Sequence, residues 1–233
     1  MNIEPGLEHC LNFINCQLHP ASAVIVPRPG YWRAVTISRQ SGSGGHAVAE
    51  ALAANLQAHE IAGTTPWTVF DRNLVETVLE DHHLRARLAK FMPEDRVSEI
   101  NDVLDEICGL HPRSSTLVEK TAETILRLTE LGNVILIGRG ANVVTGRLKD
   151  VFHVRLVGSV EKRAEYIQKS RQLEKQAALA FIHAEDVGRR RYLKKYYGKD
   201  IDDPMLYHLV INTDHIGHLQ AAKLIADTMR ASR

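Results

Sequence analysis

Glycines at positions 42, 44 and 45 stand between two segments of different character, in the stretch TISRQSGSGGHAVAEAL. The β-branched run before them predicts a strand, and the Ala/Val/Leu-rich run after them predicts a helix. Main-chain N–H groups at the start of such a helix point to one place, where the helix dipole adds positive potential. The pattern therefore predicts a phosphate-binding loop formed by Ser41, Gly42, Ser43, Gly44, Gly45 and His46.

The segment FDRN places Asp71 and Arg72 directly after another short apolar run. Ligands of doubly wound α/β sheets bind at the carboxyl ends of the strands. Asp71 is thus a candidate to hold Mg²⁺, and Arg72 to bind a substrate phosphate. The alternative is an aspartate that caps a helix beside a surface arginine, and the sequence leaves both open.

Arg139 lies between two glycines just beyond the apolar run NVILIG, in the segment LIGRGAN. No bulky neighbour covers its guanidinium, and a purely structural arginine would need a partner carboxylate there. This setting favours an anion-binding role for Arg139.

The segment GRRRYLKKYYGKD, residues 188–200, is strongly basic. Arginines of a lid stabilise the charge on a phosphoryl group during transfer, which makes Arg189 and Arg190 catalytic candidates. A solvated basic helix is one alternative, and a small RNA-binding patch with interleaved tyrosines is another. The net charge of only +1 at pH 7 disfavours nucleic acid as a partner.

Five short β-rich runs alternate with longer helical stretches along the chain. This order predicts the α/β class, with a three-layer, doubly wound, five-stranded parallel sheet. The predicted strands are Ala34–Ser38, Trp67–Phe70, Val134–Ile137, Val151–Val157 and His208–Ile211. Two regions interrupt the alternation, residues 71–130 and 170–204, and they are expected to form an acceptor-binding insertion and a lid.

Residues 1–32 are predicted to form an N-terminal helix and a linker that precede the main domain, residues 33–233. Leu7, Leu11 and Ile14 share one helical face, and a proline-rich segment follows. We expect this helix to pack on the domain body or on a second subunit, so a homodimer formed through it is one expectation.

The composition of the 233-residue chain, with 44% hydrophobic and 24% charged residues, is typical of a soluble globular protein. Its 3 cysteines contain no CxxC pair, which excludes a disulfide framework and favours a reducing, cytoplasmic setting. The first residues do not resemble a signal peptide, and no apolar window approaches the roughly 18 residues that a membrane span needs.

The order of these motifs resembles the cytidylate kinase-like family, which belongs to the nucleoside monophosphate kinases of the P-loop NTPase type. The likeness is carried by TISRQSGSGGHAVAEAL, FDRNLVE, GRGANVV, FHVRLVGSVEKR and GRRRYLKKYYGKDIDDPMLYHLVINT. The resemblance implies a helical NMP-binding insertion, a lid, and transfer of a phosphoryl group from ATP, with Mg²⁺, to CMP or dCMP. Under it, the loop would hold the ATP phosphates, Asp71, Arg72 and Arg139 would lie near the acceptor, and Arg189 and Arg190 would be lid arginines.

The sequence departs from the family's phosphate-binding motif, GxxGxGK[ST]. Alignment on the glycines puts Arg39 at the first glycine, and either Gly45 or His46 at the lysine, with Ala47 at the hydroxyl residue that binds magnesium. Ile137 and Gly140 stand where the DGRD motif of true cytidylate kinases has aspartates. Arg39 or His46 could replace the lysine, and Ser43 or Asp71 could supply the metal contacts.

Three hypotheses follow from these residues. The first is an ATP-dependent phosphotransferase that acts on a nucleoside monophosphate, with CMP or dCMP as first choice, or on another small phosphate acceptor. The second is a catalytically weak or inactive nucleotide-binding regulatory protein. The third is a kinase for a hydroxyl acceptor such as a sugar, in which Asp71 would be the base.

Overall fold

A five-stranded, all-parallel sheet forms the centre of the molecule, with strand order β2-β3-β1-β4-β5. The computed structural model describes residues 32–60, 65–75, 104 and 116–232. Its strands are β1 (Ala34–Arg39), β2 (Thr68–Phe70), β3 (Val134–Ile137), β4 (Val151–Val157) and β5 (Leu209–Asn212). The predicted fold class is confirmed, and the strand boundaries deviate from prediction by one residue at most.

Helices cover both faces of this sheet. They are α1 (Gly45–Gln57), α2 (Thr116–Leu131), α3 (Ala141–Val144), α4 (Val160–Arg171), α5 (Lys175–Tyr197) and α6 (His218–Ala231). A 3₁₀ turn at Pro204–Leu206 precedes β5. Ser159 caps α4, with its hydroxyl oxygen accepting a hydrogen bond from the Lys162 N–H.

The strands are apolar because both faces of the sheet are buried. Alternate residues of a strand point to opposite faces, and the core is accordingly divided into two clusters. Val35 and Ile37 of β1 pack in one cluster with Val48 and Leu52 of α1. The other face carries a cluster that includes residues of α2, α3 and α5.

This arrangement creates a crevice at the carboxyl ends of β1 and β3. The two strands pair in register, from Ala34 opposite Val134 to Ile37 opposite Ile137. The helix after β1 packs on one face of the sheet, and Ala141 and Val144 of the helix after β3 pack on the other. Ligands of open α/β sheets bind where neighbouring connections diverge in this way.

Several predicted features lie outside the described residues. Residues 1–31, and with them almost all of the N-terminal helix and linker, belong to this group, as do residues 76–103 and 105–115 of the insertion. The 170–204 region consists mainly of α5, a continuous helix of 23 residues. Within the described part of the chain, none of the helices has the length and apolar character to cross a bilayer.

Candidate functional site

The loop between β1 and α1 turns through two left-handed glycines, Gly42 with φ 83° and Gly44 with φ 76°. A Cβ on Gly42 would lie 2.5 Å from the main-chain oxygen of Arg163, and one on Gly44 would overlap the ring of His218. Both positions therefore require glycine for conformation and for space. Gly44 is the N-cap of α1 and no side chain caps the helix, so the N–H groups of its first turn face outward without a side-chain acceptor.

One carboxylate fixes the outer side of this loop. Asp186 of α5 accepts the Ser41 N–H at 2.7 Å and the Arg163 guanidinium at 2.6 Å. Arg163 is buried and also donates to the Ser41 carbonyl oxygen at 2.9 Å. Asp186 further accepts a hydrogen bond from Arg189 at 2.9 Å. The glycine loop, α4 and α5 are thus joined through charge-assisted hydrogen bonds.

A second left-handed turn follows β3. Gly138, Arg139 and Gly140 have φ values of 83°, 54° and 71°. A Cβ on Gly138 would overlap Nη1 of Arg39, and one on Gly140 would lie 2.8 Å from the ring of Tyr197 in α5. The turn therefore brings Arg139 beside Arg39 at the end of the sheet.

Two cavities open at this end of the sheet. The first, here called the loop cavity, has a volume of about 390 Å³ and is lined by the glycine loop together with Asp71 and residues of α4 and α5. The second, here called the arginine cavity, has a volume of about 260 Å³ and is lined by the turn after β3, by Arg72 and by α5. Arg39, Glu185 and Arg189 line both cavities, so these three side chains form the wall between them.

The site is strongly electropositive at this wall. Burial and, to a smaller extent, the nearby charge of Arg189 lower the pKa of Arg39 to about 10, although Glu185 and Asp71 act in the opposite direction. Burial also lowers the pKa of Arg139, and the neighbouring charge of Arg72 adds to this effect. Like charges held together at partial burial are costly, and a bound anion would relieve that cost.

Arg189 is the lid candidate that the structure brings to the site. It donates to Glu185 at 2.8 Å, one turn earlier in α5, and its Nε is buried with no hydrogen-bond partner in the described part of the protein. Arg190, the other lid candidate, lines neither cavity. It is half exposed and pairs with Asp202 at 3.0 Å.

Two loop side chains predicted to take part in chemistry differ in their placement. His46 lines the loop cavity, but it is 63% exposed and pairs only with Glu50, at 3.6 Å, among the residues that the structure describes. Ser43 is buried, and its hydroxyl donates to the Gln40 carbonyl oxygen at 2.8 Å. The Ser43 hydroxyl therefore supports the loop from inside, which weighs against its predicted role as a metal ligand.

Asp71 combines the two roles that the sequence left open. Its Oδ1 accepts the Leu74 N–H at 3.0 Å, which is the geometry of a helix cap, and the residue also lines the loop cavity. Among the described residues, no cluster of three metal-ligating side chains forms. Mg²⁺ is commonly held by one or two carboxylates with substrate phosphates and water, and the carboxylates of Asp71 and Glu185 in the loop cavity fit that requirement.

The sequence did not predict four residues that support the site, namely Glu185, Asp186, Arg163 and His218. Glu185 and Asp186 precede Arg189 by four and three residues, and this helical spacing of opposite charges was the available signal. Arg163 and His218 gave no local signal, since they contact the glycine loop from distant helices.

Comparisons with known proteins agree with this architecture. The chain is 25% identical over 199 residues to the cytidylate kinase of Halobacterium salinarum, covering 84% of this chain and 89% of the relative. It is also 25% identical over 142 residues to the cytidylate kinase of Methanocaldococcus jannaschii, covering 60% of this chain and 80% of the relative.

A crystal structure of an uncharacterized protein from Eubacterium ventriosum has a similar fold, with a TM-score of 0.63 at 16% identity. The likeness covers 86% of this chain and 98% of that protein. The model of the cytidylate kinase-like family matches residues 34–215, which include every described element of the site from β1 to β5. By that match, the chain belongs to the cytidylate kinase-like family.

Proposed function

We propose that the protein transfers a phosphoryl group from ATP to a phosphate-bearing acceptor, with CMP or dCMP as the first choice. The observation that carries this proposal is the shared wall of Arg39, Glu185 and Arg189 between two cavities. A kinase with a phosphate-bearing acceptor must bind two anions close together and stabilise the charge that passes between them. Two cavities divided by two arginines meet that requirement.

The loop cavity is the better site for the triphosphate. It is lined by the glycines before α1, where uncapped main-chain N–H groups and the helix dipole favour an anion. When bound, Mg²⁺ held by Asp71, with help from Glu185, would neutralise negative charge on the phosphates.

The arginine cavity is the better site for the acceptor. Arg72 and Arg139 line it and do not line the loop cavity, and guanidinium groups bind phosphate oxygens in a bidentate manner. Tyr192 and Leu193 of α5 line the same cavity and offer an apolar surface for a nucleoside. Membership of the family, and relatives that are named cytidylate kinases, favour cytosine as the base.

The chain's residues would act by position and charge. In the transfer, the bond between the γ-phosphorus and its bridging oxygen breaks, and a bond from an acceptor phosphate oxygen to that phosphorus forms. ADP leaves with the electron pair. Because a phosphate oxygen is already ionised, no side chain has to remove a proton. Arg39 and Arg189 would stabilise charge on the oxygens in flight, and Arg72 and Arg139 would orient the acceptor.

The test is release of ADP from MgATP with a panel of acceptors: CMP, dCMP, UMP, AMP and the phosphate-free nucleoside cytidine. We expect turnover with at least one monophosphate and none with cytidine. Cytidine is the informative control, because it lacks the phosphate that Arg72 and Arg139 of the arginine cavity would bind. Folded protein that releases no ADP with any acceptor would overturn the enzymatic proposal.

A non-catalytic nucleotide-binding protein is the second candidate, and one observation favours it. The hydroxyl of Ser43 is committed to the Gln40 carbonyl oxygen, and the Ser41 N–H is committed to Asp186. Fewer donors therefore remain to stabilise a phosphoryl group during transfer, whereas the N–H groups at the start of α1 still favour binding of a phosphate. Calorimetry that detects binding of ATP and CMP, together with no release of ADP in the turnover assay, would support this candidate over the first.

A further inference from the structure

A cation from strand β1 lies beside the first residue of α1. Arg39 is the last residue of β1, and its side chain passes the first residue of α1 and ends over the turn after β3. A Cβ on Gly45 would lie 3.0 Å from Cγ of Arg39, and a Cβ on Gly138 would overlap its Nη1. The side chain of Arg39 thus occupies space that a side chain at position 138 would fill and that a side chain at position 45 would crowd.

This placement bears on the lysine that the loop lacks, because Arg39 lies close to the position of that lysine. When Gly42 and Gly44 are aligned with the second and third glycines of GxxGxGK[ST], Arg39 stands at the motif's first glycine and Gly45 at its lysine. The Cγ of Arg39 lies in contact distance of the point from which that lysine side chain would start. The motif has a glycine at its first position and a cation at its lysine position. This loop has the reverse, with the cation Arg39 first and Gly45 at the lysine position.

The guanidinium of Arg39 is also chemically available. Within the described part of the chain, no carboxylate oxygen lies within 4.0 Å of it, although it is partly buried and lines both cavities. The other wall arginine, Arg189, is already paired with Glu185 and Asp186. A partly buried cation without an ion-pair partner among these residues, between two cavities, is well suited to an anionic ligand.

We propose that the glycine and the cation of the phosphate-binding motif have exchanged positions, with Arg39 in the role of the lysine and Gly45 in the role of the first glycine. Arg39 is then the catalytic cation that contacts the transferred phosphoryl group. The inference rests on the proposed function and adds to it the identity of the residue that replaces the lysine. It excludes His46 from that role. It also gives a reason for glycine at position 45, whose backbone is ordinary helix, because a Cβ there would crowd Cγ of Arg39 at 3.0 Å.

A cycle of variants tests the exchange: Arg39→Gly, Gly45→Lys, and the double variant Arg39→Gly/Gly45→Lys, with Arg39→Gly/Gly45→Met as the uncharged control. We expect each single variant to lose transfer activity by at least about 100-fold, because one lacks the cation and the other crowds it. The lysine double variant should exceed the methionine double variant by at least about tenfold, since the lysine enters the space that Arg39 leaves. Circular dichroism and urea unfolding identify variants that fail to fold, and Arg39→Met supplies a second uncharged replacement of similar length.

A second readout, affinity for inorganic tripolyphosphate by calorimetry, does not depend on turnover. Affinity should fall in Arg39→Gly and return in the lysine double variant but not in the methionine control. If the wild type binds tripolyphosphate in this pattern but phosphorylates nothing, the proposed function fails and the exchange stands. If the wild type is an active kinase and Arg39→Gly or Arg39→Met keeps more than about a tenth of its activity, or if the lysine and methionine double variants are equal, the exchange is wrong.

Discussion

The turn after β1 and the turn after β3 are built alike, yet their glycines face different partners. Each turn contains two left-handed glycines, and the second glycine of each is the N-cap of the following helix. Gly42 and Gly44 face the Arg163 backbone and the His218 ring, which are parts of the scaffold. Gly138 faces the guanidinium of Arg39, which belongs to the candidate site.

The left-handed glycines of the two turns therefore serve different purposes. In the turn after β1, glycine allows close packing that fixes a loop at the start of a 13-residue helix. In the turn after β3, Gly140 also packs closely, against the Tyr197 ring, but Gly138 leaves room for a side chain from the neighbouring strand. The helix that follows has only 4 residues. Equivalent substitutions in the two turns should therefore change different properties of the protein.

Replacement of Arg139 should have the largest effect of the variants that compare the turns. Arg139→Met removes a guanidinium that lines only the arginine cavity. Loss of charge-assisted hydrogen bonds to the acceptor phosphate should reduce kcat/KM for the acceptor about 100-fold, equivalent to about 3 kcal/mol. The KM for ATP should change little. Steady-state kinetics with each substrate varied in turn measures both effects.

Arg190→Met is the matched control, since Arg190 is a half-exposed arginine of α5 that pairs with Asp202. We expect its kinetics to stay close to those of the wild type. Equal losses in the two variants would mean that the arginine cavity is not the acceptor site.

Gly42→Ala should be the most destabilising of the glycine substitutions. The new Cβ would lie 2.5 Å from a main-chain oxygen of α4, which cannot move without the helix, and the residue must keep φ at 83°. Left-handed strain and overpacking together should lower the free energy of unfolding by about 2–4 kcal/mol. Urea unfolding measures this change.

Gly217→Ala controls for the loss of a glycine, because its φ is −61° and an added Cβ would have no described atom within 4 Å apart from those of its neighbours in the chain. Its free energy of unfolding should remain within about 0.5 kcal/mol of the wild-type value. A Gly42→Ala protein as stable as this control would contradict the packing of α4 against the loop.

Gly138→Ala should affect activity more than stability. Its Cβ would displace the end of a long, flexible side chain, so the cost to folding should be limited mainly to left-handed strain, about 1–2 kcal/mol. The Arg39 guanidinium would move away from the wall between the cavities, and transfer should fall about tenfold or more. Comparison of activity and unfolding in Gly138→Ala and Gly42→Ala therefore distinguishes the two uses of glycine. A stable Gly138→Ala protein with full activity would show that the position of Arg39 does not matter.

The same contrast shows what the sequence could and could not predict. Strand β3 was predicted with its correct bounds, because a continuous apolar run such as VILI is typical of a strand covered on both faces. The glycine loop was predictable because its residues are consecutive in the chain.

The support of that loop was not predictable in the same way. Asp186 and Arg163 lie 145 and 122 residues from Ser41, and contacts over such separations exist only in the folded chain. The choice between Arg39 and His46 as the replacement cation likewise depended on side-chain direction. The two residues lie close together in sequence, but only Arg39 extends to the wall between the cavities.

His46→Ala should have the smallest effect and is the sharpest check on that choice. The ring is 63% exposed, and its interaction with Glu50 at 3.6 Å is an exposed pair within one helix, which contributes at most about a few tenths of a kcal/mol. Activity should remain within about twofold of the wild type, because the cation that contacts the phosphates is Arg39. Steady-state kinetics at saturating acceptor measures this, with Glu50→Ala as the control for loss of the pair. A fall of about 100-fold in His46→Ala, but not in Glu50→Ala, would assign the lysine's role to the histidine. The turn after β1 would then supply its cation from the helix, as ordinary phosphate-binding loops do, and the contrast with the turn after β3 would lose its functional meaning.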